Sequence, residues 1–278
     1  MPELPEVETV RRQLEGTIRG RRIASLRIDD ATLVGPSNPR HLRALVEGRR
    51  VEALGRRGKY LQLLLDSGDT LVMHLRMTGR LHHFASGRAP ADRHRRARLR
   101  FDDGAVLDFS DTRRFGRMWI LPADHPDPEG YWTARLGVEP LSGEFTVAAL
   151  AAALRGRSTS IKAALLDQRR VAGIGNIYAD ESLFQAGIHP ERPAGDIDAA
   201  HVAALRDAIV DRLQVGIASG GASIDRYRDT MGKPGTMQDM LLVHRHEGDP
   251  CPRCGTTIVK TRVAQRGTYH CPQCQPAS

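Results

Sequence analysis

An α+β chain in three parts is the fold class that the sequence predicts: an N-terminal β-sandwich with flanking helices, a helical middle, and a C-terminal four-cysteine zinc ribbon. Three observations predict it. Short alternating apolar runs fill residues 22–121, alanine-rich helical patterns follow over 146–218, and all four cysteines fall within the last 28 residues of 278. Alternation with a period of two marks half-buried strands, and recurrence at three to four residues marks a helix face.

The chain opens on "MPELPEVE". Val7, Val10, Leu14 and Ile18 recur at helical spacing, Glu6 and Glu8 sit in the first turn, and Gly20 closes a helix expected over about 5–17. Proline is welcome in a first turn and acidic side chains there complement the helix dipole, so this opening also reads as an ordinary helix start. The runs "RIASLRI", "KYLQLLL", "TLVMHLRM", "ARLRF", "AVLDF" and "RMWIL", parted by turns such as "DSGD" and "DDG", predict a sandwich or barrel. "HHFASGRAPADRHRRAR" reads as a basic loop, and "PADHPDPEGYW" with "GVEPLSGEF" as breaks between domains. Helices are expected over 146–154, 160–168, 176–187 and 197–218.

Cys251-Pro-Arg-Cys254 and Cys271-Pro-Gln-Cys274 are separated by sixteen residues. Two such pairs read as a closed tetrahedral zinc site of four thiolates, with two disulfides or a redox motif as the other reading. Between them "GTTIVKTRVAQRGTYH" alternates like a hairpin with Gln265, Arg266 and Gly267 at its tip. Expected boundaries are 1–125 for the N-terminal β domain, 126–142 for a linker, 143–235 for the helical domain with a glycine-rich loop at 219–235, and 236–278 for the ribbon.

Composition narrows the function. A net charge of +8 and pI near 9.8 favour a polyanionic partner. No run of about 18 apolar residues and no basic-then-apolar export pattern is present, which predicts a soluble cytoplasmic protein. Lysine occurs only at 59, 162, 233 and 260, and in this arginine background an ammonium of adjustable pKa is a pointer to Lys59 above all. Gly173 and Gly175 precede a helix headed by Asn176, a pattern that suits either an anion at free N–H groups or tight helix packing. Were it an anion site, Lys162 and Asn176 would both touch phosphate. "FSDTRRFG" puts Arg113, Arg114 and Phe115 at a strand end, where an arginine and an aromatic can enter a base stack or simply form a surface turn. Met77, in "MHLRMTG", reads by itself as a core residue.

Together these segments resemble the bacterial formamidopyrimidine-DNA glycosylase family. The resemblance rests on "MPELPEVET", "GKYL" at 58–61, "HLRMTG" at 74–79, "DTRRFG" at 111–116, "LGVEPL" at 136–141, "IKAALLDQ", "GIGNIYADE", "GIHP" at 187–190, and the ribbon with "AQRGT" at its tip. They run in order over essentially the whole chain. The resemblance implies a helix-two-turns-helix domain, one structural zinc ion, a monomer, and damaged double-stranded DNA as partner. It further implies a bifunctional glycosylase and abasic-site lyase that excises 8-oxoguanine and formamidopyrimidines. In that reading Met1 is removed and the Pro2 amine attacks C1′ to form a Schiff base, with β- and δ-elimination following. An α-amino group titrates near pH 8, so a useful fraction is unprotonated at neutral pH.

By the same resemblance Glu3 is the general acid, Glu6 a second acidic residue of the lesion pocket, Lys59 the lysine of β-elimination and Arg266 the arginine of δ-elimination. Arginine is a poor proton donor, so a phosphate clamp suits Arg266 better on physical grounds. Met77, Arg113 and Phe115 match the residues that fill the void left by a flipped base. His94, Arg113, Lys162 and Asn176 are the expected backbone contacts. Three departures stand out. Arg96 replaces a second histidine after His94, His244-Arg245-His246 replaces Tyr-Gly-Arg before the ribbon, and Asp225 stands where some relatives are basic. Rival readings are the endonuclease VIII branch, which favours oxidised pyrimidines, and a non-enzymatic zinc-ribbon DNA-binding protein.

Overall fold

Helix α1 spans Leu4–Ile18, one residue longer at each end than its apolar spacing suggests. Its start is set by a capping box between Glu3 and Glu6, in which the Glu3 N–H donates to Glu6 Oε2 at 2.7 Å, and by Pro5 in the first turn. Val7, Val10, Leu14 and Ile18 are almost wholly buried in the main apolar core. Each such side chain contributes about 2 kcal/mol by leaving water. The computed structural model describes residues 1–86, 89–224 and 227–277. By packing they form two units, Met1–Pro128 with Ser219–Thr236, and Glu129–Ala218 with the chain from Met237 onward.

In the first unit two four-stranded antiparallel sheets enclose the core, as the alternation predicts. One holds β1 (Ile23–Ile28), β6 (Arg95–Phe101), β7 (Val106–Asp111) and β5 (Gly79–Phe84) in that order; the other holds β2 (Val51–Arg57), β3 (Tyr60–Leu65), β4 (Thr70–His74) and β8 (Arg117–Leu121). A short α2 (Pro39–Val46) packs beside β1. Arg57 pairs with Tyr60 across the β2–β3 hairpin, leaving Gly58 and Lys59 as a two-residue turn. Gly58 has φ +53°, the pattern of a type II′ turn, in which glycine supplies the first central residue. That turn is what displays Lys59.

The second unit is helical, with α3 (Pro128–Thr133), α4 (Val147–Leu154), α5 (Ile161–Leu166), α6 (Asn176–Ala186) and α7 (Ala199–Ala218), ending in the hairpin of β9 (Val259–Val263) and β10 (Arg266–His270). Asp198 accepts from the His201 N–H, which explains why α7 starts after it. No helix among the described residues is long and apolar enough to cross a membrane.

The packing departs from the expected boundaries in three places. Residues 126–142 are not a bare linker: they contain α3 with buried Trp132, and Val138 bridges to Val171. The loop at 219–235 packs with the first unit rather than the helical one, because Gln13 holds Asp229 and Thr230 while Glu6 holds Ala222. The ribbon packs on α6 instead of standing apart, through Arg253 to the Phe184 and Gln185 carbonyls and Gln275 to the Ile188 carbonyl.

One buried ion cluster fastens α1 to the sheet. Glu8 accepts from Arg12 at 2.8 Å, from Arg11 at 3.0 Å and from Arg56 of β2 at 3.1 Å. Burial alone would push its carboxyl up, but the Arg11 and Arg12 hydrogen bonds and the charges of Arg11 and Arg56 outweigh it and hold it at about 2. A depressed carboxyl stabilises the fold above its ordinary value of 4.5 and loses that contribution as pH falls toward 2. Glu8→Gln is therefore expected to cost about 3 kcal/mol at pH 7 and progressively less below pH 4. Urea unfolding of both proteins across that range checks it; a gap that does not narrow with acid would refute the linkage.

Candidate active site

Pro2 and Glu3 are carried by the N-terminus of α1. Pro2 is buried, Glu3 is 3% exposed and Glu6 1%. The Glu6 carboxylate is shared. Its Oε2 takes the Glu3 N–H, and its Oε1 takes the Ala222 N–H at 2.8 Å. The Tyr227 hydroxyl donates to the Glu6 carbonyl at 3.4 Å, its phenol pushed up by burial and by the Glu6 charge and so kept protonated. A Cβ on Gly221 would stand 2.8 Å from Glu6 Cγ, so the loop backbone reaches Glu6 only because residue 221 has no side chain. One carboxylate thus joins the residue after Pro2 to the glycine-rich loop. Asp225 lies outside the described residues.

Lys59 is 4% exposed on its hairpin turn. It has a neighbour that the sequence reading missed. His74, at the end of β4, is held far down at about 3 by burial and by the charges of Arg76 and Lys59. Its Nδ1 accepts from the Arg76 N–H at 2.9 Å, so the neutral ring carries its proton on Nε2. A neutral imidazole donor therefore accompanies the buried ammonium. The signal was available, since His74 heads the "HLRMTG" segment that supplied Met77.

The expected void-filling residues occupy two turns. Met77 is 40% exposed and Phe115 45%, which removes Met77 from the core reading. The Arg113 guanidinium lies 4.8 Å from the Phe115 ring centre, so the two project as one stacked pair. Arg114 turns away and bonds the buried Asp30 at 2.6 Å. His94 is half-buried, its N–H on Asp92 and its ring on Arg93. Arg96, which replaces the second histidine, donates its Nε to the Asp111 carbonyl at 2.8 Å.

The second unit corrects one expected contact outright. Lys162 is fully buried, its ammonium 2.7 Å from Asp180 Oδ1, 2.8 Å from Thr268 Oγ1 and 3.0 Å from the Gly267 carbonyl. Wholly buried among these partners, the ammonium presents no surface to a phosphate. Asn176 donates its Nδ2 to the same carbonyl at 2.9 Å, while its Oδ1 is buried without a hydrogen-bond partner. Both side chains therefore hold the ribbon tip. Arg266, exposed, begins β10 opposite Val263 across a turn made by Ala264 (φ +48°) and Gln265 (φ +61°). Left-handed backbone costs non-glycine residues about 1 kcal/mol each, so the strand pairing and the grip on Gly267 must hold this turn in shape. His244, the departure at the ribbon's base, completes the network by placing Nδ1 2.7 Å from Asp180 Oδ2.

The four cysteine sulfurs lie within 4.8 Å of one another, with Cys251–Cys274 at 3.8 Å and Cys254–Cys271 at 3.5 Å. Tetrahedral Zn–S bonds of about 2.3 Å put sulfurs about 3.8 Å apart. Neither a disulfide nor any non-sulfur donor is present in the cluster, so the set fits one structural zinc ion.

Comparison with known proteins matches three successive stretches of the chain. The formamidopyrimidine-DNA glycosylase N-terminal domain matches residues 1–118, the H2TH domain of that enzyme matches 136–228, and the zinc finger found in FPG and IleRS matches 248–277. Formamidopyrimidine-DNA glycosylase of Roseiflexus sp. (strain RS-1) is 48% identical over 276 residues, covering 99% of this chain and 100% of its own. That of Chloroflexus aggregans is 48% identical over 279 residues, covering 99% and 98%. Among solved structures, Lactococcus lactis Fpg with abasic-site DNA superposes with a TM-score of 0.91 at 37% identity, covering 99% of each chain. The same enzyme with DNA containing an oxidised pyrimidine gives 0.90 at 37% identity, covering 99% of this chain and 100% of the other. With three domain matches in order and relatives alike over their full length, this chain belongs to the formamidopyrimidine-DNA glycosylase family.

Proposed function

We propose that this protein is a base-excision glycosylase and abasic-site lyase that acts on 8-oxoguanine and formamidopyrimidines in double-stranded DNA, as a single chain in the cytoplasm. The observation that carries the reading is the Pro2–Glu3–Glu6 arrangement, in which a potential secondary amine stands beside two buried carboxylates at a helix N-terminus. Structural DNA binding alone needs none of it. Complexes of the Lactococcus lactis enzyme with abasic-site DNA and, as a point mutant, with DNA containing Fapy-dG support the substrate class.

Chemically, removal of Met1 frees the Pro2 nitrogen, whose lone pair forms a bond to C1′ of the damaged nucleotide as the glycosidic bond breaks. The base leaves with the electron pair of the glycosidic bond and takes up the proton that the Pro2 nitrogen gives up on bonding to C1′. Glu3 protonates the ring oxygen as the sugar opens, giving an iminium between Pro2 and C1′. The iminium acidifies C2′; loss of that proton expels the 3′ phosphate, and a second elimination expels the 5′ phosphate. Lys59 stands to neutralise phosphate beside this sugar, and Arg266 to stabilise the departing oxygens. Met77, Arg113 and Phe115 fill the vacated stack.

Borohydride trapping on duplexes carrying 8-oxoguanine opposite cytosine, a formamidopyrimidine, or an oxidised pyrimidine tests the reading. Covalent adducts are expected with the first two in preference to the third. A preference for the pyrimidine would favour the endonuclease VIII branch, and tight binding with no adduct on any duplex would leave only a DNA-binding protein.

A further inference from the structure

Met77, on the turn between β4 and β5, and Arg113 with Phe115, on the turn between β7 and β8, belong to segments more than thirty residues apart. Two separate turns would each move on their own, yet a wedge entering a base stack must present its parts in fixed relation. One buried carboxylate joins them. Asp111, the last residue of β7, is 1% exposed. Its Oδ1 accepts the Thr78 hydroxyl, in a short hydrogen bond, and the Arg113 N–H at 3.1 Å; its Oδ2 accepts the Gly116 N–H at 2.7 Å. Thr78 Oγ1 also takes the Arg113 N–H at 3.1 Å, which closes a three-membered ring of contacts between residues 78, 111 and 113.

The bracketing is tight on both sides. Thr78 immediately follows Met77, while Arg113 and Gly116 enclose Arg114 and Phe115. A Cβ on Gly116 would stand 2.6 Å from Phe109 Cζ, so the chain leaves Phe115 along a path only glycine can take. At the far side of the turn Asp30 takes Arg114, which has φ +61° and therefore cannot swing back beside Arg113 without changing its backbone. The carboxylate of Asp111 is bonded to neutral donors, a hydroxyl and two backbone N–H groups. Burying a charge on neutral donors is an expensive way to build a turn, and a structural turn needs only a serine or asparagine. The arrangement makes sense if rigidity across two turns is what it secures, since a carboxylate offers enough lone pairs to accept from both at once.

We infer that Asp111 and Thr78 are positioning residues that lock the Met77 turn to the Arg113–Phe115 turn, making one preformed wedge that sets both base extrusion and the choice of the opposite base. This rests on the void-filling role given above to Met77, Arg113 and Phe115. A floppy wedge fails most where unstacking is hardest. A paired 8-oxoguanine must be pulled from its stack, whereas an abasic site has no base to extrude.

The test compares Thr78→Val, Thr78→Ser and Asp111→Asn with the parent, on duplexes holding 8-oxoguanine opposite cytosine or adenine, on an abasic duplex, and with 2-aminopurine beside the lesion as a fluorescent reporter of unstacking. Thr78→Val and Asp111→Asn are expected to slow excision opposite cytosine at least tenfold, to slow abasic cleavage at least threefold less than that, to narrow the cytosine-over-adenine preference, and to dampen the 2-aminopurine rise. Thr78→Ser keeps the hydroxyl and is expected to restore excision to within threefold of the parent. An equal fall on lesion and abasic duplexes, or a serine variant as slow as the valine one, would overturn the proposal as mere loss of fold. So would valine and asparagine variants indistinguishable from the parent. Arg113→Ala and Phe115→Ala separate the two levels: if they leave the 2-aminopurine signal unchanged, the void-filling reading fails first, and if they abolish it while Thr78→Val does not, only the positioning role fails.

Discussion

Pro2→Gly is expected to slow borohydride-trappable adduct formation at least 100-fold while DNA binding stays within threefold of the parent. A hundredfold corresponds to about 2.7 kcal/mol of transition-state stabilisation. Glycine retains an α-amine of similar basicity, so the loss is not simply that of a nucleophile. A secondary amine gives an iminium that is permanently charged, whereas a primary amine gives an imine that must first bind a proton to activate C2′. Glycine also frees the backbone at the residue whose neighbour is fixed by the Glu3–Glu6 capping box, and attack requires reacting atoms held within about 3.5 Å. Both effects fall on the adduct and neither on phosphate binding. Proteolysis of the reduced adduct identifies the bonded residue. Parent adduct mapped to Lys59, or a glycine variant that traps at the parent rate, would overturn Pro2 as nucleophile. Intact mass belongs in the same experiment, because a retained Met1 converts the Pro2 nitrogen into an amide with no basic lone pair.

What could be read beforehand follows from range. The zinc ligands were legible because four thiolates impose spacings of two residues within each pair, and the sandwich because burial on one face of a strand imposes alternation on the next residue but one. Helix α1 was legible to within a residue at either end for the same reason. Lys162 was misread because its meaning is set by residues far along the chain. Asp180 is one helix away, and Gly267 and Thr268 are more than a hundred residues away. Locally, a lysine ahead of a G-x-G turn carries the same appearance whether its ammonium meets phosphate or a carbonyl. The attachment of the 219–236 segment to the first unit had no local sign either, since it depends on Gln13 and Glu6 side chains more than two hundred residues upstream.

Stripping zinc should undo more than the ribbon. Among the described residues the apolar cluster there comprises Phe184, Val243, Cys251, Ile258 and Cys271 with a few half-buried neighbours, and two of these five buried members are themselves ligands. So small a core cannot hold a hairpin by burial alone, and structural zinc sites supply about 10–16 kcal/mol of binding free energy that becomes folding free energy. Without the metal, the β9–β10 pair loses its anchor and the Gly267 carbonyl and Thr268 hydroxyl withdraw from Lys162. That leaves a fully buried ammonium with Asp180 as its remaining partner among the three. Breaking up such a buried charge network is strongly unfavourable, by about 3–5 kcal/mol, so α5 and α6 must open to water around it. Chelation, or Cys271→Ala, is therefore expected to abolish amide-exchange protection over 259–270, to weaken it in α5 and α6, and to cut strand cleavage more than tenfold. Protection in β2, β3 and β4 of the sandwich should persist, since the metal touches nothing there. Lys162→Met in zinc-loaded protein separates the steps: it should lower the melting temperature and loosen Arg266 while all four cysteines still hold metal. Protein shown by elemental analysis to be free of zinc, yet protected over 259–270, would refute the dependence of the ribbon on its ion. Loss confined to 251–275, with α5 and α6 unchanged, would instead cut the chain of consequence at Lys162.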